Sequence, residues 1–172
     1  QPFTLALVSR LLNGAGFSKV RILDVHSDVA LRLIRNSVNV LPYQVVQNVI
    51  NTVQPGSIVA PDLGAVERVG KLAGIVRHVV QCSKHRDMQT GKLSGFTVPQ
   101  TVYEKCLIID DICDGGATFE GLAAELRTKG AKEIYLYVTH AIMSKGCTLK
   151  GIDKIYTTDS YWPVPTRMSN FV

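Results

Sequence analysis

The sequence predicts an α/β fold built on a parallel sheet, and three features predict it. Short apolar runs alternate with amphipathic stretches, the pattern of strands covered on both faces by helices. One run, KCLIIDDICDGGATFEGL (105–122), passes from a buried-strand composition through aspartates and a Gly-Gly turn into a helical pattern. One connection, HRDMQTGKLSGFTVPQTVYE (85–104), is too long and polar for a simple turn, which predicts a flexible loop or hairpin flap.

Along the chain, residues 4–13 (TLALVSRLLN) run at helical spacing toward Gly14 and Gly16, with Pro2 suited to a first helical turn. Strands are expected at VRILD (20–24), SIVAPD (57–62), HVVQCSK (78–84), KCLIIDD (105–111), EIYLYVTH (133–140) and KIYTTD (154–159). Helices are expected at 28–35, 42–53, 64–76 and 118–129, with Ser27 or Asp28 capping the first of these and Gly130 closing the last. The tail, SYWPVPTRMSNFV, carries two prolines and the lone Trp162 and reads as an extended segment that packs on something else. The absence of an initiator Met gives the impression of a chain entered in its middle.

The 172 residues suit one ordinary domain or slightly more, and 46% hydrophobic with 19% charged residues describes a globular chain. No apolar run approaches the ~20 residues that cross a bilayer, and no signal-peptide pattern opens the sequence. The four cysteines (Cys82, Cys106, Cys113, Cys147) show no CxxC spacing, which suggests reduced thiols and a cytoplasmic protein without membrane partners. A net charge of +5 without a Lys/Arg run, and with only 7% aromatic residues, points to anions such as polyphosphates more than to nucleic acid.

Ligands of open α/β sheets bind at the carboxyl ends of the strands. Asp110 and Asp111 are expected to emerge at the tip of a buried strand formed by Leu107 to Ile109. Gly115-Gly116-Ala117 can turn tightly and present backbone N–H groups where the helix from Thr118 begins, a suitable cradle for phosphate. Carboxylates that accept hydrogen bonds from hydroxyls, set beside such a cradle, describe a receptor for ribose phosphate. The plainer alternative is a solvated acidic turn with Asp114 as an ordinary cap.

LIIDDICDGGATF (107–119) resembles the phosphoribosyl-diphosphate (PRPP) binding motif of the type I phosphoribosyltransferase fold, a Rossmann-like parallel-sheet architecture. Gly115 stands where that motif usually has Thr, and Ala117 where it has a second Gly. RILDVHSD (21–28), VAPDLGAVERVGKLA (59–73), CSKHRD (82–87), YVTHAIMSKG (137–146) and IDKIYTTDS (152–160) follow the order of motifs in ribose-phosphate diphosphokinases. The resemblance implies transfer of the diphosphoryl group of ATP to the anomeric hydroxyl of ribose 5-phosphate, giving PRPP and AMP. It implies that Asp110 and Asp111 bind the ribose hydroxyls, that Asp114, Gly115, Gly116, Ala117 and Thr118 hold the 5-phosphate, and that Lys84 and Arg86 act catalytically on the migrating diphosphoryl group from a lid. It also implies Mg²⁺ at Asp62 and His26, although a lone histidine is most often structural. The lid sequence after Lys84 departs from the family's usual run.

The same resemblance divides the chain into residues 1–40, a remnant of a first domain, residues 41–160, the ribose-phosphate-binding domain, and a tail at 161–172. The segments that supply the family's adenine pocket are not in this sequence, and homo-oligomerisation is expected. Three alternatives stay open: the same chemistry on a ribose-5-phosphate derivative such as ADP-ribose, a PRPP-consuming phosphoribosyltransferase, and a non-catalytic regulatory relative. Arg68 and Lys71 are expected to face solvent on the helix after Asp62, and Cys113 to be a spacer in the phosphate loop.

Overall fold

A computed structural model describes residues 3–74, 78–86, 93–99 and 101–161, with the backbone alone at 85, 86, 93 and 94. The chain forms two compact units, residues 1–42 and 43–172. In the first, helix α1 (Phe3–Gly14), strand β1 (Val20–Leu23), helix α2 (Asp28–Leu33) and strand β2 (Ser37–Val40) follow one another, and β1 pairs parallel with β2. Ser27 caps α2 as expected, its side chain accepting from the Val29 N–H at 3.3 Å. Asn13 ties α1 to the end of α2, donating to the Leu33 carbonyl at 2.9 Å and accepting from the Arg35 N–H at 2.8 Å. β2 was not expected from the sequence.

The second unit holds helix α3 (Tyr43–Val53), strand β3 (Ser57–Ala60), helix α4 (Leu63–Ala73), strands β4 (His78–Gln81), β5 (Ser83–Arg86), β6 (Leu93–Thr97) and β7 (Lys105–Cys113), helix α5 (Ala117–Thr128), and strands β8 (Glu133–Ala141) and β9 (Lys154–Thr157). Five of these strands make a parallel sheet in the order β4-β3-β7-β8-β9. Every residue of β3 is buried, and Leu107, Ile108, Ile109, Ile134, Leu136 and Val138 are fully enclosed at the centre. Burial on both faces explains why these strands read as continuous apolar runs.

The order places a topological switch between β3 and β7: the chain leaves β3 toward β4 on one side and later returns to lay β7 on the other. The crevice beyond the carboxyl ends of those two strands is where such sheets receive ligands. In register, Val59 lies beside Ile108, so Asp62 and Asp111, each three residues further on, lie at the same end of the sheet.

Two elements differ from expectation. The run 78–84 is not one strand: it splits at buried Cys82, whose N–H still donates to the Ala60 carbonyl at 2.9 Å, and β5 then leaves the sheet. β5 pairs antiparallel with β6, which makes the long connection a hairpin flap, with a register shift at His85/Arg86. Partly buried Phe96 and buried Val98 fasten the returning arm of the flap to the core. β7 runs two residues beyond the expected strand, because Ile112 and Cys113 still pair with His140 and Ala141 of β8. Asp110 and Asp111 therefore lie within the strand and not beyond its tip. The expected positions of Gln1 and Pro2, of the middle of the flap, and of the tail from Trp162 lie outside the described residues.

Candidate functional site

β3 ends at Ala60 and pairs with β7 only as far as Ile108, so the edge of β7 beyond that point is vacated. Helix α4 fills the vacancy with Arg68. Its Nη2 pairs with Oδ1 of Asp110 and its Nη1 with Oδ2 of Asp111, the latter at 3.0 Å. Successive strand residues face opposite sides, and a planar guanidinium at the open edge can take one oxygen from each. The cluster is enclosed: the side chains of Arg68, Asp110 and Asp111 are only 14%, 17% and 4% exposed. The expectation that Arg68 faces solvent is thus wrong, because two carboxylates on a buried strand require a cation inside. Lys71 does face solvent, paired with Glu67 at 2.7 Å.

One guanidinium shared by two carboxylates leaves the pair short of positive charge. Burial pushes the Asp110 carboxyl up to about 6, the Arg68 charge pulls against it, and the Asp111 charge adds to the rise. Asp111 also donates its N–H to Oδ1 of Asp110 at 3.0 Å.

β7 gives way to the loop 114–118, which brings its polar groups to the surface: Asp114 and Ala117 are exposed, Gly115 and Thr118 half-buried. Gly116 begins α5 with φ +76°, a conformation that glycine adopts without strain, and a Cβ there would collide with Leu149 Cδ2. Gly116 brings no side chain to cap the helix; its carbonyl accepts from the Phe119 N–H at 2.9 Å, and the Ala117 and Thr118 N–H groups of the first turn are left to face an acceptor from outside the helix. Cys113 is buried and its thiol is pushed up to about 11 by burial and by Asp114 and Asp110, which fits a spacer and not a reactive group.

The signature of the phosphoribosyl transferase domain matches residues 30–169 of this sequence. The chain belongs to the phosphoribosyl transferase domain family. It is 28% identical to ribose-phosphate pyrophosphokinase of Cereibacter sphaeroides, covering 94% of this chain and 52% of that protein. It is 29% identical to the enzyme of that name from Thermococcus kodakarensis, covering 98% of this chain and 61% of that one. The crystal structure of phosphoribosylpyrophosphate synthetase from Mycobacterium smegmatis superposes with a TM-score of 0.78 at 24% identity, over 98% of this chain and 57% of that chain. The chain thus spans little more than half the length of these relatives. Within the phosphoribosyl transferase fold, the acidic strand end and the loop after it occupy the switch point, and the resemblance read from the motifs agrees with the relatives' names.

A further carboxylate at this end of the sheet belongs to Asp62. It caps α4, with Oδ1 accepting from the Ala65 N–H at 3.1 Å, while Oδ2 pairs with Lys84 Nζ from the hairpin flap. Burial works against its ionisation, but Lys84 and the Ala65 and Gly64 N–H groups outweigh it and hold the carboxyl below its usual range. Lys84 is thereby brought to the switch point. The backbone of Arg86 lies in β5, but its side chain falls outside the described residues. His26 is exposed in the turn between β1 and α2, in the first unit.

Magnesium takes oxygen ligands, usually one or two carboxylates completed by substrate phosphates and water. Among the described residues no group of three or more His, Cys, Asp or Glu could hold a metal ion. Asp62 nevertheless offers a hard oxygen at Oδ2, where the Lys84 ammonium marks a place for positive charge. That donor fits an ion shared with substrate phosphates better than one caged by protein. No helix among the described residues is long and apolar enough to cross a membrane.

Proposed function

We propose that this chain carries the acceptor site of a ribose-phosphate diphosphokinase, which transfers the diphosphoryl group of ATP to ribose 5-phosphate to give PRPP and AMP. The observation that carries the proposal is the enclosed Asp110–Arg68–Asp111 cluster at the switch point, followed directly by the Gly116-capped start of α5. The cluster offers carboxylate oxygens to the ribose 2- and 3-hydroxyls. Residues Asp114 to Thr118 receive the 5-phosphate.

In the transfer, O1 bonds to the β-phosphorus of ATP, the bond from that phosphorus to the α-phosphate oxygen breaks, and AMP leaves. The hydroxyl proton passes to solvent, so no protein nucleophile is needed. Phosphoryl transfer gains mainly from positioning and charge neutralisation. Lys84 supplies a cation, and its position on the flap lets it follow the migrating group; Arg86 is proposed for the same role on the resemblance. Mg²⁺ at Asp62 would screen the nucleotide phosphates when bound.

Calorimetric titration with ribose 5-phosphate, ADP-ribose and PRPP, with and without Mg²⁺, tests the reading. Ribose 5-phosphate is expected to bind, and Asp110→Asn/Asp111→Asn to abolish the binding while the protein stays folded. Failure of all three ligands to bind would remove the acceptor site from this chain. Tighter binding of ADP-ribose than of ribose 5-phosphate would move the same chemistry to the larger acceptor.

A further inference from the structure

The connection between β8 and β9 is fastened along its length to the loop that follows β7. The Ile142 and Met143 N–H groups both donate to the Cys113 carbonyl, at 2.8 and 3.2 Å. Buried Leu149 backs Gly116, the Lys150 N–H donates to Glu120 Oε1 at 2.9 Å, and Gly151 fits closely against Ala123 of α5. These anchors hold the intervening Lys145 over Gly115. A Cβ placed on Gly115 would lie 3.5 Å from both Cδ and Cε of Lys145 and 3.8 Å from its Nζ. The stem of Lys145 therefore passes at van der Waals distance from the Gly115 position and brings an ammonium to the loop. Lys145 is exposed and has no ion-pair partner among the described residues.

We propose that Lys145 is a further ligand-binding residue of this site, its ammonium pairing with the phosphate monoester that the loop 114–118 receives. The inference rests on the ribose-phosphate reading of that loop. The backbone amides contribute fixed dipoles, and Lys145 contributes a full charge on a flexible stem that can follow the phosphate oxygens. A dianionic terminal phosphate gains more from that charge than a singly charged phosphate esterified on both sides. The site is thereby tuned to a free 5-phosphate.

The test is a titration of the protein and of its Lys145→Met, Lys145→Arg and Asp110→Asn/Asp111→Asn variants with ribose 5-phosphate at low and high salt. Lys145→Met is expected to weaken binding about tenfold at low salt, the scale of one charge-assisted hydrogen bond. Lys145→Arg is expected to retain most of the affinity, and the deficit of Lys145→Met to shrink as salt screens the charge. Because Lys145 is exposed, the unfolding midpoint should not move, which separates lost contact from lost structure. Binding abolished by the double aspartate variant but unchanged within about twofold in Lys145→Met would overturn the inference and leave the ribose-phosphate reading in place. No binding by the unsubstituted protein would overturn that reading, and the inference with it.

Discussion

The ends of β3 and β7 lie side by side, and each presents carboxylate to a cation from a neighbouring element, yet the two are charged differently. At β3, Asp62 has Lys84 and backbone N–H groups to itself, and its carboxyl is held below the usual range. At β7, Asp110 and Asp111 divide one buried guanidinium, and Asp110 is pushed up to about 6. The kind of residue is the same; what differs is the number of carboxylates per cation and the depth of burial. The chemistry each end suits follows from this. A half-exposed, firmly ionised oxygen invites a hard cation, whereas an enclosed pair with spare acceptor capacity invites hydroxyl donors.

Removing Arg68 should break the contrast most severely. Arg68→Gln leaves two enclosed carboxylates without their counter-ion and is expected to cost about 3–5 kcal/mol at pH 7 in urea denaturation. The loss should diminish toward pH 4 as protonation takes over the guanidinium's work, and Arg68→Lys should restore part of it. A loss below about 1 kcal/mol at pH 7 would mean that water already reaches the pair.

A smaller effect is expected from Asp110→Asn, and with the opposite sign. Because the folded-state carboxyl is raised from 3.8 to about 6, the protonated form is favoured by folding. Its contribution is fully present below pH ~4 and is lost as pH rises through about 6. On that basis the native aspartate gives up roughly 3 kcal/mol across the window, and the asparagine variant should not. The variant is expected to be the more stable protein at pH 7 and to show a flatter stability profile between pH 4 and 6, while binding sugar phosphate poorly. An unaltered profile would show that Asp110 is not the group that takes up the proton.

What was legible in the sequence was whatever local composition decides. The apolar runs of β3, β7 and β8 cannot be exposed, and Gly115-Gly116 before a helical pattern fixes a turn, so the strand–turn–helix passage and the carboxylates around it could be read directly. β2 escaped because SVNV (37–40) is short and follows a helix without a long connection. The split at Cys82 escaped because the alternation of buried Val80 and Cys82 around exposed Gln81 carries no mark of the residue where pairing partners change. Arg68 was misjudged as a solvated helix residue, since its burial depends on β3 ending early beside β7. One signal pointed to it nonetheless: adjacent aspartates on a buried strand demand a cation, and α4 starts at the neighbouring strand end. Lys145 left no comparable sign, because its position over Gly115 is set by how the β8–β9 connection docks.

The smallest effect on stability should come from Lys84→Met at the other strand end. The lowered Asp62 carboxyl contributes stability above the ordinary value of 3.8, and that contribution disappears as pH falls through the lowered one. With Lys84 32% and Asp62 27% exposed, solvent screens the pair, and the substitution is expected to cost less than about 1 kcal/mol at pH 7 and progressively less as the pH falls through the lowered value. On the proposed function, its effect on diphosphoryl transfer should be far larger: a cation aimed at a migrating charge would be worth about 100-fold or more in kcat. AMP release measured beside urea denaturation therefore separates two roles. A variant that is stable but slow shows that Lys84 is held at Asp62 until substrate charge draws it away. A loss of stability that matches the loss of rate would make the ion pair a structural clasp for the flap, and the catalytic cation would have to come from elsewhere on it.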